Sequence, residues 1–276
     1  MDIAFIGGGN MATALIGGMV ERGFAADAIH VIEPDAAARE RLQARFGVRA
    51  LAVPDDGTRR ADVLALAVKP QQMQTALTPF AGALRRTLVI SIAAGLRLAD
   101  IGRWLGGAGA PYTRLVRCMP NTPALIGAGV TGMYAAPAVD AVGRETAERI
   151  LAAVGGIVWV DDEARLDAVT GISGSGPAYV FHFIEALEAA GRAQGFDAAD
   201  ARRLAVDTVL GAARLASASD DPPAVLREKV TSKGGTTAAA LARLAAAGWY
   251  DALVDAVAVA SARSRELGEQ FGQDRT

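Results

Sequence analysis

A glycine-rich turn follows the first apolar run of the chain and sets the strongest limit on its fold. Residues 2–6 read as a β-strand, and Gly7-Gly8-Gly9-Asn10-Met11-Ala12 then leads into a helical stretch. In a G-x-G-x-x-A sequence the first glycine allows a tight turn, the second lets the backbone approach a pyrophosphate, and the alanine keeps the helix close to the sheet. The free N–H groups at the helix start would face that anion. The turn therefore predicts a dinucleotide-binding unit at the start of the chain.

Short apolar runs alternate with helical stretches through the first half of the sequence. The runs are rich in Val, Ile, Leu and Ala, which is typical of parallel strands buried on both faces. The predicted strands cover residues 2–6, 29–32, 62–68, 87–92, 113–118 and 157–160. The predicted helices between them cover residues 11–22, 36–46, 71–83 and 139–154. This alternation predicts an α/β fold, with an N-terminal Rossmann-like, doubly wound sheet.

An acidic residue stands at the end of the second predicted strand. Glu33 follows Ala12 by about 20 residues, where a carboxylate accepts hydrogen bonds from the adenosine ribose of a dinucleotide. A carboxylate there favours NAD, since it repels the 2′-phosphate of NADP. Arg39 follows about one helical turn later and could serve a phosphate. The sequence therefore leaves the choice between NADH and NADPH open.

The sequence changes character after Val160. An acidic break, Asp161-Asp162-Glu163, is followed only by helical periodicity, in Ala-rich segments at 176–195, 197–216, 222–230, 236–246 and 249–271. We predict a dinucleotide-binding, Rossmann-like domain at residues 1–161 and an all-helical dimerisation and substrate-binding domain at residues 162–276. Because these helices are apolar on most sides, we expect a homodimer that buries them. The alternative is that the alanines reflect only base composition and helix propensity.

Composition argues against several classes of protein. The chain has 28 basic and 30 acidic residues and no run of like charge, so nucleic acid is not an expected partner. One cysteine, Cys118, and two histidines, His30 and His182, can form neither an internal disulfide nor a zinc cage. No apolar run reaches the roughly 18 residues of a membrane span, and no signal sequence is apparent. We expect a cytoplasmic protein with no metal and no membrane partner.

Side chains suited to acid–base catalysis are scarce. The only lysines are Lys69, Lys229 and Lys233, and the predicted helix at 176–195 has none. This absence argues against the β-hydroxyacid dehydrogenases and ketopantoate reductase, which are similar in layout and place an essential lysine on that helix. His182, among apolar and aromatic neighbours, is interpreted as a core or interface histidine. Prephenate-type dehydrogenases, which depend on a histidine, are therefore also disfavoured.

Two segments rich in glycine and hydroxyl side chains precede helices of the second half. They are Gly171–Pro177 and Thr231–Thr237, and both are predicted to be loops that lead into helix N-termini. Amides and hydroxyls in such loops can hold a carboxylate. The pair of loops indicates a site for a small amino or imino acid.

Six motifs, in order from end to end, resemble those of the pyrroline-5-carboxylate reductase family. They are Phe5–Met11, Ala67–Gln71, Ser91–Gly95, Arg117–Pro123, Gly171–Tyr179 and Ser232–Thr237. The resemblance implies reduction of 1-pyrroline-5-carboxylate to L-proline by hydride transfer from NAD(P)H, the last step of proline biosynthesis. It also implies a helical domain that dimerises and, in many members, a ring of dimers.

The same resemblance implies the site residues. Those that bind the cofactor, together with Glu33, are Ile6, Gly7, Gly8, Gly9, Asn10, Met11, Ala67, Val68, Lys69, Pro70, Ala93, Ala94, Met119, Pro120 and Asn121. Those that bind the substrate are Ser232, Gly235, Thr236 and Thr237. Thr237 and Ser232 are the candidate catalytic residues, and Thr237 is expected to be the hydroxyl nearest the ring nitrogen.

One position departs from the commonest pattern of that family. Where many members have Ser-Pro-Gly-Gly, this chain has Ser232-Lys233-Gly234-Gly235, which exchanges a rigid proline for a flexible cation. Lys233 is interpreted as solvated; attraction of an anionic substrate is the alternative. Two other functions are weighed against the main one: reduction of another cyclic imine or a small keto or imino acid, and dinucleotide binding by a regulator without turnover.

Overall fold

The structure is a computed structural model that describes residues 1–107 and 109–272. The chain forms two compact units. The first comprises Met1–Ser175 and the chain from Val259 onward, and the second comprises Gly176–Ala258. The domain ranges 1–161 and 162–276 stay a prediction of the sequence.

The first unit is built on an eight-stranded sheet. Its strands are β1 (Ile3–Ile6), β2 (Ile29–Ile32), β3 (Arg49–Leu51), β4 (Val63–Leu66), β5 (Leu88–Ser91), β6 (Leu115–Met119), β7 (Gly129–Ala135) and β8 (Gly155–Trp159). The strand order is β3-β2-β1-β4-β5-β6-β7-β8. All neighbours are parallel except β6 and β7, which are antiparallel. The predicted Rossmann-like sheet is confirmed, with one correction: the sheet is mixed rather than wholly parallel.

Two strands, β3 and β7, were not expected from the sequence. The segment of β7 contains Gly129 and Gly132, which weaken any strand pattern. Both glycines are needed for close packing: a Cβ on Gly132 would lie 2.6 Å from Cγ1 of Val169, and one on Gly129 would lie 2.9 Å from the backbone of Ala124. The glycines therefore mark close approach of backbone to neighbours rather than a loop.

Helices cover both faces of the sheet. In the first unit they are α1 (Asn10–Glu21), α2 (Ala36–Phe46), α3 (Asp56–Arg59), α4 (Met73–Leu77), α5 (Leu98–Leu105), α6 (Ala141–Leu151) and α7 (Arg165–Val169). The predicted helix at 71–83 is wrong as a single element. It is three short turns, Pro70–Gln72, α4 and Thr78–Phe80, because Pro79 cannot donate the backbone hydrogen bond that would continue α4.

Two apolar clusters pack against the opposite faces of the sheet. Successive residues of β1 pack into different clusters: Phe5 belongs to one and Ile6 to the other. The first cluster also contains Met19 of α1, and the second contains Met73 and Phe80. With both faces covered, the strands read as continuous apolar runs, and the exposed carboxyl edge is left for a ligand.

The second unit is all helical, as predicted. The helices of this half are α8 (Gly176–Ala193), α9 (Ala198–Ala218), α10 (Pro223–Lys229), α11 (Thr236–Ala246) and α12 (Trp249–Phe271), of which α12 continues into the first unit. Within Gly176–Ala258, all of which the structure describes, only Ala201 and Ala205 are buried. Large apolar side chains are exposed instead, among them Phe181, Phe183 and Val254. This unit has almost no interior of its own.

The end of α12 is fixed within the first unit by close contacts. The Oγ of Ser264 donates to Oδ1 of Asp167 at 2.8 Å, and both residues are buried. A Cβ on Gly268 would lie 2.5 Å from the carbonyl oxygen of Gly95.

No single described helix is long and apolar enough to cross a membrane; α11 and α12 meet such a criterion only when taken together across a 52° bend.

Candidate active site

The predicted phosphate-binding turn lies where the strand order reverses. Strand β1 lies between β2 and β4. From β1 the chain adds β2 and β3 on one side, and it then returns to add β4 and β5 on the other side. Past the ends of the strands, the amide of Gly7 donates to the carbonyl of Ile32 at 2.9 Å, and the amide of Ala67 donates to the carbonyl of Ile6 at 2.8 Å. Ligands of open α/β sheets bind in the crevice outside the carboxyl ends of strands at such a reversal.

The glycine turn has the shape that a pyrophosphate requires. Gly7 has φ +98°, and a Cβ there would lie 2.8 Å from the carbonyl oxygen of Ala67, so only glycine fits. Gly9 is exposed, and a Cβ on it would meet nothing within 4 Å. Gly9 is also the N-cap of α1, which has no side-chain cap and no acidic residue in its first turn. The free amides and positive end of α1 thus open onto empty space, and the residues present fit a dinucleotide.

Glu33 is held rigidly beside this turn. One carboxylate oxygen accepts from the amide of Gly8 at 2.9 Å, and the other accepts from the amide of Asp35 at 3.0 Å. The cleft that contains Glu33 has a volume of about 760 Å³ and is also lined by Gly8, Gly9, Asn10 and Thr13. The carboxylate of Glu33 and the phosphate-binding amides therefore share one cleft.

The other predicted cofactor residues follow the ends of three further strands. Ala67, Val68, Lys69 and Pro70 come directly after β4, Ala93 and Ala94 follow β5, and Met119, Pro120 and Asn121 stand at the end of β6. The side chain of Asn121 is buried; it accepts from the amide of Val130 at 2.9 Å and donates to the carbonyl of Ser173 at 3.1 Å. These two bonds fix the end of β6 in place.

The first of the two predicted hydroxyl-rich loops is not a loop. Residues Thr170–Gly174 form a π-helical turn that joins α7 to α8. The amide of Ser175 donates to the carbonyl of Thr170 at 2.8 Å, and Oγ of Ser173 donates to the carbonyl of Val169 at 3.0 Å. The expectation that Gly171–Pro177 offers free amides and hydroxyls to a carboxylate is therefore wrong for these groups, because helical hydrogen bonds occupy them.

The second predicted loop is present and leads into α11. Gly235 is the N-cap of this helix, and its amide donates to the carbonyl of Ser232 at 3.0 Å. A Cβ on Gly235 would lie 2.5 Å from Oγ of Ser232, so a side chain there would displace that hydroxyl. Thr236 and Thr237 are the first two residues of α11, where amides lack an intrahelical acceptor. Hydroxyls and free amides are thus concentrated at one helix start within the second unit.

Other groups capable of chemistry lie elsewhere. His182 has a side chain that is 88% exposed, with Nδ1 3.3 Å from Oε2 of Glu185, so it is not a core histidine of this chain; an interface position stays a prediction. Burial raises the pKa of the Cys118 thiol well above its ordinary value. Among the residues that the structure describes, no cluster of three potential metal ligands occurs.

A buried ion-pair network was not expected from the sequence. Arg117 on β6 is only 4% exposed, and its guanidinium lies 3.1 Å from Glu163 and 3.7 Å from Asp167. Oε1 of Glu163 also accepts from the amide of Leu98, which begins α5. The acidic run at 161–163 is thus more than the break that the sequence predicts, since it supplies Glu163 to this network. The available signal is Arg117, between Val116 and Cys118 in a predicted buried strand, since a buried cation needs an acidic partner.

Family models match most of the chain. A model for pyrroline-5-carboxylate reductase dimerisation matches residues 163–267. A model described as NADP oxidoreductase, coenzyme F420-dependent, matches residues 2–95.

Relatives match this chain over nearly its whole length. A pyrroline-5-carboxylate reductase of Pseudomonas aeruginosa is 45% identical over 273 residues, 98% of each chain. One from Synechocystis is 42% identical over 271 residues, 98% of this chain and 99% of its own. The solved pyrroline-5-carboxylate reductase of Coxiella burnetii has a TM-score of 0.90 at 37% identity, covering 96% of this chain and 98% of the other. A Plasmodium falciparum pyrroline carboxylate reductase, solved with NADP bound, has a TM-score of 0.84 at 27% identity, with 97% and 98% covered.

Proposed function

This chain belongs to the pyrroline-5-carboxylate reductase family, and on that basis we propose that it reduces 1-pyrroline-5-carboxylate to L-proline with NADPH or NADH. The reaction is the last step of proline biosynthesis. The observation that carries the proposal is that one chain has an open dinucleotide turn at Gly7–Asn10 and an open, hydroxyl-rich helix start at Ser232–Thr237.

Residues of the first unit would hold the cofactor. When bound, the reduced nicotinamide supplies the hydride that the imine carbon accepts. The amide of Gly9 and the start of α1 would hold the pyrophosphate, and Glu33, fixed by the amide of Gly8, would accept hydrogen bonds from the ribose. Residues 67–70, 93–94 and 119–121 would line the remainder of the cofactor. Among these residues Gly9, Asn10, Lys69 and Ala94 are exposed, whereas Ala93, Pro120 and Asn121 are buried. This pattern supports a binding surface with exposed edges over a buried base.

Residues of the second unit would hold the substrate. The free amides of Thr236 and Thr237 at the start of α11 suit the carboxylate of the imino acid. The hydroxyl of Thr237 would hydrogen-bond the ring nitrogen, and that of Ser232 would stand beside it. Gly235 would keep the turn close enough for both. Lys233 is exposed and makes no ion pair among the described residues, which supports a solvated side chain.

No strong acid is needed for this reaction. Reduction of a C=N bond adds a hydride at carbon and a proton at nitrogen, and a cyclic imine near neutral pH is already partly protonated. The protein has to align the imine carbon and exclude water, and good alignment alone gives large effective molarities. Weak hydrogen-bonding groups such as the hydroxyl of Thr237 are sufficient for that task.

Dimerisation is part of the same proposal. The family model for the helical half is a dimerisation model, and the second unit exposes an apolar surface. We infer that α8–α12 form the homodimer contact and that dimers assemble further into a ring. The enzyme would work in the cytoplasm, where its cofactors and a reducing environment are found.

A steady-state assay tests the proposed activity. The purified protein is given 1-pyrroline-5-carboxylate with NADH or NADPH, and proline formation is measured together with cofactor oxidation. A six-membered cyclic imino acid and an acyclic keto acid serve as comparison substrates. Proline formation that is fastest with the five-membered imine supports the proposal. Faster turnover of a comparison substrate, or no cofactor oxidation with any of them, contradicts it.

A further inference from the structure

The turn between β2 and α2 carries two carboxylates at the ribose end of the cofactor cleft. Glu33 and Asp35 both line this cleft. The Glu33 carboxylate is fixed by the amides of Gly8 and Asp35, at 2.9 and 3.0 Å. A carboxylate has about four lone-pair sites, so the two amides leave acceptor positions for ribose hydroxyls. Since both oxygens are anchored, the side chain cannot turn away from a third negative charge without losing these bonds.

The cation that the sequence left available for a phosphate is already engaged. One guanidinium nitrogen of Arg39 donates to the carbonyls of Glu33, at 2.8 Å, and Pro34, at 2.7 Å. These bonds fold the arginine back over its own turn. The donating nitrogen therefore serves two backbone carbonyls and not the cleft. Arg39 does not line the cleft.

The start of α2 is capped by a carboxylate of its own. Asp35 is the N-cap, and its Oδ1 accepts from the amide of Ala38 at 2.6 Å. The residues that follow, Ala36, Ala37 and Ala38, have no hydrogen-bonding side chains. A 2′-phosphate at this turn would therefore meet two carboxylates, and the amide of Ala38 is already occupied by one of them.

Two other arginines line the cleft farther along α2. The guanidinium carbon of Arg45 lies over the ring of Phe46, 4.9 Å from its centroid. Arg41 is exposed and is not paired with an acidic group among the described residues. Arg41 is therefore the one rival anchor for a phosphate that an experiment has to address.

We propose that this chain selects NADH over NADPH, with Glu33 as the specificity-determining residue and Asp35 reinforcing it. The inference rests on the proposed reductase function and names the cofactor that the same site takes. The anchored carboxylate of Glu33 accepts from the 2′-hydroxyl of NADH, whereas NADPH places a doubly charged phosphate against it. Because Arg39, the cation of this turn, donates to its own backbone, and two carboxylates stand beside the ribose, NADPH binds more weakly.

Equilibrium binding tests this preference independently of turnover. Dissociation constants for NADH and NADPH are measured by titration calorimetry on the dimeric protein, without substrate. We expect NADH to bind at least about tenfold more tightly than NADPH, and Glu33→Gln to reduce that ratio by about fivefold or more. The variant loses a charge but keeps an acceptor for the amide of Gly8. Raising the salt concentration should also lower the wild-type ratio of NADH to NADPH affinity, since screening weakens the repulsion between Glu33 and the 2′-phosphate.

Three further variants make the test specific. Glu40→Gln removes the same charge from an exposed position of α2 outside the cleft, and it should leave the ratio unchanged. Asp35→Asn keeps a cap and should lower the ratio by a smaller factor than Glu33→Gln. Arg41→Gln should leave the ratio unchanged; a selective loss of NADPH affinity there would show that Arg41 binds the phosphate and would overturn the inference.

The outcomes separate this inference from the proposed function. Equal or tighter binding of NADPH by the wild-type protein overturns the NADH preference while the reductase function stands. If Glu33→Gln leaves the ratio of NADH to NADPH affinity unchanged, the role of Glu33 is overturned while the reductase function stands. If neither nucleotide binds, the proposed function falls together with the inference.

Discussion

At the scale of single residues, the glycine turn separates structural from functional demands. Gly7 has a positive φ and contacts the carbonyl of Ala67, so its lack of a side chain serves the fold. Gly9 has φ −70° and open space where a Cβ would stand, so nothing in the fold requires it to lack a side chain. The spacing of the motif predicts both roles; the positive φ of Gly7 confirms the turn, and the approach of Gly9 to a pyrophosphate stays a prediction.

We predict opposite behaviour for alanine at these two positions. Gly7→Ala should lower the free energy of unfolding by about 2 kcal/mol or more, because it adds a strained φ to a backbone clash. Gly9→Ala should change stability by less than about 0.5 kcal/mol but weaken NADH binding clearly, because its methyl group enters the cleft. Urea unfolding and nucleotide titration measure the two effects. Unchanged nucleotide affinity in Gly9→Ala would show that the pyrophosphate does not sit there.

Thr237 permits a test of the weak-group mechanism. Thr237→Ala should raise the KM and lower kcat modestly, with kcat/KM falling about tenfold to a hundredfold, the size of one lost hydrogen bond to a charged group. Thr237→Ser retains the hydroxyl and should recover most of the activity. Steady-state kinetics on the three proteins decide the matter: a drop of many orders of magnitude in Thr237→Ala would mean that the residue is an obligatory acid.

At the scale of elements, capping chemistry determined how well the sequence predicted boundaries. Helix α2 was placed at its observed limits, since Asp35 caps its start and Gly47, with φ +71°, ends it. Helices α11 and α12 were also placed correctly. Residues 170–174 were not, because Gly and Ser usually interrupt a helix but here form a π-helical turn stabilised by α7 and by Asn121. Such tertiary support cannot be read from local sequence.

The close approach of α12 to the first unit yields a prediction at this scale. Gly268→Ala should lower the free energy of unfolding by about 1–3 kcal/mol, because its Cβ would overlap the carbonyl oxygen of Gly95. Gln270→Ala, at an exposed position of the same helix, should change stability by less than about 0.5 kcal/mol. Thermal and urea unfolding compare the two. Equal stability of both variants would show that α12 does not pack closely on Gly95.

At the scale of the whole molecule, the two units differ in how they are stabilised. The first unit has two large apolar clusters on its sheet, whereas the second buries only two alanines. The sequence revealed this difference through the apolar residues on most sides of the last helices. It could not reveal which surfaces meet, because the pairing of two chains depends on shape and not on periodicity.

Matched valine substitutions test the apolar surface of the second unit. Val254, on α12 within the second unit, is 54% exposed, and Val53, in the first unit, is 70% exposed. Val254→Asp should shift the protein from dimer to monomer and abolish most activity, because it places a charge in an apolar contact. Val53→Asp should leave mass and activity unchanged. Light scattering coupled to chromatography gives the mass of each variant, and each fraction is then assayed. A fully active Val254→Asp monomer would contradict the prediction.

The scarcity of buried residues in the second unit has a consequence for biogenesis. The first unit has apolar clusters of its own, whereas in the proposed homodimer the helical unit gains a dry interior only when two chains meet. Maturation would then follow second-order kinetics, so expression level sets how quickly active enzyme accumulates.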